Sequence, residues 1–196
     1  SLFEKKQNDL IGIRGPYGNY FNVSKSLKNP ILIGGGTGLV PLMRLATVLS
    51  KTQRRCTIII GAQTQKEILF KVLIEEILSK ISTNIIVTTE DGSFGVKGVV
   101  TDALKYILKK EKFDMIYTCG PELMMKSIYN LSIPYSIPIQ ASLERYMKCG
   151  IGICASCCIN DKLVCKDGTV FNESQLSELS EFGKVFRDKS GRPSYY

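Results

Sequence analysis

The stretch Cys149-Gly150-Ile151-Gly152-Ile153-Cys154-Ala155-Ser156-Cys157, followed by Cys165, gathers four thiols with gaps of four, two and seven residues. The first two gaps are the plant-type [2Fe–2S] spacing. Two irons bridged by two sulfides must receive four thiolates from one curled stretch of backbone, so the residues inside the curl have to be small. Gly150, Gly152, Ala155 and Ser156 meet that demand, and glycine takes the positive φ that tight curls impose. A structural zinc site would prefer two short Cys-x-x-Cys knuckles, of which only Cys154 and Cys157 form one. A thioredoxin-like dithiol would leave Cys149 and Cys165 idle. Disulfides belong to secreted chains, and nothing here looks secreted. Cys158 is a spare, read as a buried thiol ahead of a substitute ligand.

The 196-residue sequence contains no histidine. That excludes Ser-His-Asp triads, Cys-His nucleophiles, Cys₂His₂ zinc, Rieske clusters and histidine-ligated haem, and leaves a cofactor to carry any reaction. Hydrophobic residues make up 44% of the chain, enough to fill a core. The apolar runs are short and broken by charges, so no transmembrane helix and no membrane association are expected. The formal charge is +8, yet Lys and Arg (Lys51, Arg54, Arg55, Lys66, Lys109, Arg187) are scattered without interleaved aromatics. The pattern is a solvated basic surface for anionic cofactors and an acidic partner, with no nucleic acid bound. A cysteine-rich loop fits a reducing cytoplasm. The opening Ser1-Leu2-Phe3-Glu4 is neither a signal peptide nor an initiator start, which points to a processed or partial chain.

The elements that must position the cysteines come earlier. Residues 10–18 read as a strand entering a Gly-Pro turn. Residues 31–33 form a short buried strand running into Gly34-Gly35-Gly36-Thr37-Gly38, and 39–50 carry a helical pattern with Pro41 in the first turn. Strand, glycine loop, helix is a phosphate cradle, because unpaired N–H groups at the helix start face the anion. The loop is neither Gly-x-Gly-x-x-Gly nor a P-loop, and a plain tight turn is the alternative. Strands are then expected at 56–60, 84–89, 113–118 and 137–142, the last closing the sheet. Helices alternate with them at 66–80 (Ile68, Leu69, Val72, Leu73, Ile77 and Leu78 on one face), 99–109 and from Pro121 to about 130. The fold class is therefore α/β, a doubly wound parallel sheet, followed by the cysteine loop. Ligands bind such sheets at the carboxyl ends of the strands, where Gly34–Gly38 and Cys119-Gly120-Pro121 share one crevice. No Asp or Glu ends the second strand at Ile60-Gly61-Ala62-Gln63, and Arg54 and Arg55 lie at its wrong end, which leaves NAD and NADP both open. Residues 163–168 read as a hairpin-like return carrying Cys165. Asn172-Glu173-Ser174-Gln175 can cap a short helix in a polar tail that drapes over the surface or a partner.

A nicotinamide delivers two electrons as hydride, whereas a [2Fe–2S] cluster takes one, so the combination implies a flavin between them. Three motifs carry a resemblance: Gly34-Gly35-Gly36-Thr37-Gly38-Leu39-Val40-Pro41-Leu42, Thr118-Cys119-Gly120-Pro121, and the cysteine stretch with Val164-Cys165-Lys166-Asp167-Gly168-Thr169-Val170-Phe171. Together they resemble the electron-transfer subunits of NAD-dependent dihydroorotate dehydrogenases, members of the ferredoxin reductase superfamily. Gamma subunits of sulfhydrogenases and NAD(P)H–ferredoxin oxidoreductases share the same modules and form the alternative. A zinc-stabilised binding module without enzymatic activity is the alternative from another class. The resemblance implies Cys149, Cys154, Cys157 and Cys165 as cluster ligands. It implies Gly34, Gly35, Gly36, Thr37 and Gly38 at the NAD pyrophosphate, Cys119, Gly120 and Pro121 at its nicotinamide end, and Gly15, Tyr17, Gly18 and Thr37 toward FAD. It divides the chain into 1–27 (the end of a flavin barrel whose Arg-x-Tyr/Phe-Ser signature is absent), 28–140 (nucleotide domain), 141–172 (cluster segment) and 173–196 (tail). The implied partner is an FMN-containing dihydroorotate dehydrogenase catalytic subunit in a heterotetramer of two plus two. The gap before Cys165 is shorter than the family's, which implies a tighter loop.

Overall fold

A computed structural model describes residues 2–51, 55–69 and 83–196. Strands β1 Pro30–Gly35, β2 Cys56–Ala62, β3 Thr83–Thr89, β4 Val96–Lys97, β5 Met115–Cys119 and β6 Ile139–Ser142 follow one another along the chain. Strands β7 Cys158–Ile159 and β8 Lys162–Leu163 make a small hairpin in the cysteine segment, and β9 Val170–Asn172 returns to the main sheet. Its order is β4-β3-β2-β1-β5-β6-β9. Every described pairing in it is parallel except β6 with β9.

Period-2 alternation along the strands explains why both faces are covered. Leu32, Ile58 and Ile60 point to one side, against Leu39, Leu42, Ala46 and Leu49 of the Leu39–Lys51 helix. Ile31, Ile33 and Ile59 point to the other, against Leu104 and Ile107 of the Val100–Leu108 helix and Met125 and Ile128 of the Glu122–Ser132 helix. The doubly wound expectation therefore holds. The expected helix at 66–80 lies, beyond residue 69, outside the described residues. Its described start is a 3₁₀ turn, Gln65–Glu67, followed by buried Ile68.

Two expectations need correction. The sheet does not close at β6: β9 pairs antiparallel along it, and the Leu143 N–H donates to the Thr169 carbonyl at 2.9 Å. An open β6 edge would leave backbone groups unpaired, and the chain returning from the cysteine segment satisfies them. Second, 10–18 forms no strand among the described residues. Arg14 donates instead to the Lys148 carbonyl in the cysteine segment, and the chain is then bolted to the sheet at Asn22. There the backbone N–H donates to Gln140 Oε1 at 2.8 Å, and the carbonyl accepts from Gln140 Nε2 at 3.0 Å and Tyr117 Oη at 2.9 Å.

The tail opens as expected. Asn172 and Gln175 form a reciprocal capping box on the Glu173–Glu178 helix. Phe182 is then fully buried, and β10 Val185–Arg187 pairs with β11 Pro193–Tyr195 as a hairpin.

One buried ion pair ties these parts together. Arg145 donates to both carboxylate oxygens of Glu122, and the two side chains are only 2% and 4% exposed. Arg145 also reaches the Glu144 and Val185 carbonyls, while Glu122 Oε1 accepts from the Gly183 N–H at 2.9 Å. Replacing Arg145 by Met leaves a buried carboxylate without its cation, a change that costs about 3–5 kcal/mol. Urea unfolding of Arg145→Met is expected to show that loss, and pairing it with Glu122→Leu is expected to restore much of it.

Candidate nucleotide cleft and cysteine loop

Strand order reverses between β1 and β5, because the chain moves outward from β1 to β2 and β3 and then returns to the other side of β1 at β5. Crevices open at such switch points. Gly34 lies opposite Cys119 in the register, so the loops leaving the two strands meet. Glycine is required at that meeting. A Cβ on Gly38 would sit 2.4 Å from the Cys119 carbonyl oxygen, and Gly120, at φ +150, lies so close to Gly35 that a Cβ would come within 3.0 Å of its backbone.

Gly36–Gly38 form a single 3₁₀ turn that runs directly into the Leu39–Lys51 helix. Two adjoining cavities open beside this turn, and Gly35, Gly36, Pro121 and Leu123 line both. One, of about 430 Å³, continues toward the ends of β2 and β3, past Gln63, Glu67 and Glu90. The other, of about 650 Å³, is walled by Thr37, Gly38, Cys119, Gly120, Ser142, Arg145 and, from the tail, Phe186, Arg187 and Tyr196. Of the residues expected at the nucleotide, Gly34 lines neither cavity. A side chain there would collide with Leu39 and Leu42, so its role is helix–strand packing. Glu67 and Glu90 were not anticipated. The sequence signal was Glu90 directly after β3, one strand further than the usual search for an acid. Burial pushes the Cys119 thiol up to about 11 and, with Glu122 nearby, the Tyr196 hydroxyl up to about 12.

The cysteine loop is shaped by backbone donors aimed at sulfur. Cys149 Sγ accepts N–H groups from Ile151, Ile153 and Cys154 at 3.4–3.5 Å. Gly150 and Gly152, at φ +70 and +80, turn the chain so that these amides converge. The amides, that of Cys154 first, hold the Cys149 thiol down to about 6, and Ser156 lowers Cys154. Burial raises Cys165, whose N–H donates to Cys157 Sγ at 3.4 Å. The thiols thus stand as two pairs, Cys149 with Cys154 and Cys157 with Cys165. Among the described residues no three or more His, Cys, Asp or Glu gather as around one metal ion. Paired thiols with amides directed at sulfur fit a binuclear iron–sulfide group, with two thiolates for each iron. Cys158 sits apart in β7, half-buried, and none of the seven cysteines is in a disulfide.

Residues 14–19 grip both arms of this loop. Arg14 donates to the Lys148 carbonyl at 2.7 Å, and the Tyr17 ring packs on Gly150. Asn19 Nδ2 donates to the Asp167 and Val170 carbonyls at 3.1 and 2.8 Å, and its Oδ1 accepts from the Val170 N–H at 2.7 Å. Gly18 lies against the Gly168–Thr169 backbone, where a Cβ would clash. Tyr17 and Gly18 are therefore beside the cysteine loop, while Thr37 is in the larger cavity.

Residues 32–130 match the family described as the oxidoreductase NAD-binding domain, and 144–177 the iron–sulfur cluster binding domain of dihydroorotate dehydrogenase B. The chain is 46% identical to a probable dihydroorotate dehydrogenase B (NAD(+)) electron transfer subunit of Methanocaldococcus jannaschii, over 100% of this chain and 74% of the relative. It is 43% identical to the correspondingly named protein of Pyrococcus furiosus, over 97% of this chain and 72% of that one. Among solved structures, that of an NADH-dependent reduced ferredoxin–NADP oxidoreductase superposes with a TM-score of 0.76 at 30% identity. The match covers 92% of this chain and 65% of that one. No helix among the described residues is long and apolar enough to cross a membrane.

Thiolate is the nucleophile toward alkylating agents, and Cys119 stays protonated until its raised pKa is reached. Its alkylation by iodoacetamide, followed by peptide mass spectrometry, is expected to remain slow at pH 8 and to keep climbing to about pH 11. An ordinary exposed thiol levels off about two units lower.

Proposed function

This chain belongs to the family of dihydroorotate dehydrogenase B electron transfer subunits, and on that premise we propose that it relays electrons between NAD(H) and a catalytic partner subunit that oxidises dihydroorotate to orotate. The observation that carries the reading is the conjunction, in one chain, of a switch-point cleft with two pairs of thiols under converging amides. The partner is taken to be an FMN-containing subunit in a two-plus-two heterotetramer, and the compartment to be the cytoplasm. Bound to this assembly, nicotinamide, FAD and [2Fe–2S] groups supply hydride exchange, conversion of paired electrons to single ones, and one-electron transfer.

The chain's own residues bind, orient and shield. Gly36, Thr37 and Gly38, at the start of the Leu39–Lys51 helix, are assigned to the pyrophosphate, which a helix N-terminus receives through backbone N–H groups. Gly35, Cys119, Gly120 and Pro121 border the cavity suited to the nicotinamide end. Glu67 and Glu90 border the cavity suited to the adenosine end, where carboxylates accept ribose hydroxyls and repel a 2′-phosphate. That charge pattern favours NAD over NADP. Gly15, Tyr17, Gly18 and Thr37 are assigned to the flavin side, and Cys149, Cys154, Cys157 and Cys165 to the cluster. No residue here has to act as general acid or base toward dihydroorotate, since that chemistry belongs to the partner. The ferredoxin–NADP oxidoreductase likeness supports a gamma-type subunit as the second reading. The higher identity over nearly the whole chain favours the first.

Anaerobically purified protein is expected to show reddish-brown absorbance that bleaches with dithionite, and a rhombic S = 1/2 signal at low temperature. Cys154→Ser is expected to abolish both while leaving NADH binding largely intact; a colourless, zinc-loaded wild type would overturn the reading. Glu67→Gln with Glu90→Gln is expected to narrow the preference for NADH over NADPH by roughly 3- to 10-fold. Equal narrowing by substitutions at Lys105, away from the cleft, would remove the assignment.

A further inference from the structure

The Cys149 arm of the cysteine loop receives a cation from the N-terminal segment. Arg14 is exposed but held at three points: Nε donates to the Tyr17 hydroxyl, Nη2 donates to the Lys148 carbonyl at 2.7 Å, and the guanidinium centre lies 5.6 Å from the Tyr17 ring centroid. Lys148 directly precedes Cys149, and the Tyr17 ring leaves no room for a side chain on Gly150, where a Cβ would lie 2.5 Å from it. Arg14 and Tyr17 thus stand as an outer wall against the Cys149 arm.

The relay has no use for these contacts if the cysteine loop holds its group unaided, and the loop already has its own amide donors. The charge of Arg14 does have a use. One-electron reduction of a cluster on four thiolates adds a negative charge that nearby cations stabilise. The Lys166 stem packs across Gly152 from within the cysteine segment and supplies a background common to every variant at position 14. Arg14 differs in that it arrives from the N-terminal segment assigned to the flavin side, so the same short stretch that borders the flavin would bias the cluster toward accepting its electron.

We infer that Arg14, positioned by Tyr17, raises the reduction potential of the cluster through its charge beside Cys149. The inference rests on the electron-transfer reading above. The test uses the full chain with its cluster, in redox titrations followed by visible absorbance and EPR at low and high salt. At a fixed potential, Arg14→Gln is expected to lower the ratio of reduced to oxidised cluster by roughly 2- to 5-fold, the modest size reflecting the exposure of Arg14 to solvent. Arg14→Lys is expected to recover most of the loss, Tyr17→Phe to fall between, and the differences to shrink in about 0.5 M salt. Cluster content and circular dichroism are expected to be unchanged across the set. An Arg14→Gln ratio equal to wild type, or an Arg14→Lys ratio as low as that of Arg14→Gln, would overturn the inference and leave the electron-transfer reading standing. A wild type without cluster absorbance would overturn both, and that control is read first.

Discussion

The Glu122–Arg145 pair joins three stretches that otherwise touch only in part. Glu122 opens the helix after β5, Arg145 precedes the cysteine loop, and the pair's remaining hydrogen bonds run to Gly183 and Val185 in the tail. A pair this buried offers little net stabilisation over an apolar substitute, since both charges give up hydration. What it contributes is geometry. A bidentate guanidinium–carboxylate contact fixes distance and plane together, so the cysteine segment leaves β6 in one direction and the tail hairpin lies over the larger cavity. Both ends of the proposed relay thereby share one anchor.

The cleft depends on a different constraint, the closeness of two backbones. Where β1 and β5 end side by side, Gly38 touches the Cys119 carbonyl and Gly120 touches Gly35. No side chain fits between them. The turn therefore leaves Gly36 and Thr37 exposed and Gly38 buried, and it runs straight into the Leu39–Lys51 helix, whose Leu39 N–H donates to the Gly36 and Thr37 carbonyls. On the proposed function, an anion at this turn would meet backbone N–H groups in place of a cationic side chain. The acidic residues that would choose among dinucleotides stand further along, in a separate cavity lined by the ends of β2 and β3.

At the cysteine loop the governing interaction is the backbone amide directed at sulfur. Three such donors on Cys149 favour the thiolate, the form that binds iron, before any metal arrives. The N-terminal segment completes the arrangement from outside. Asn19 makes three side-chain hydrogen bonds to Asp167 and Val170 beside its backbone bond to Gly168, and Arg14 and Tyr17 close the opposite arm. A segment read as a strand thus serves as a clamp.

What depends on short spacing and local pattern is legible in the amino-acid order. The thiol intervals, the glycines between them, the β1 loop running into its helix, and the Asn172–Gln175 capping box all act within a few residues, and the structure has them where the spacing implies. The continuous apolar runs Ile31-Leu32-Ile33 and Ile58-Ile59-Ile60 were equally legible, because a strand buried on both faces needs apolar side chains on both. The rest comes from contacts between distant parts of the chain. Residues 10–18 follow strand chemistry locally, yet the partners of Arg14 and of the adjoining Asn19 lie more than a hundred positions away at Lys148 and Gly168. The antiparallel β9 edge, the Glu122–Arg145 pair, and the meeting of Glu67 with Glu90 beside one cavity likewise join positions that no periodicity connects. Such contacts are set by where the packed sheet and helices bring distant backbone, and a one-dimensional pattern carries no record of that distance.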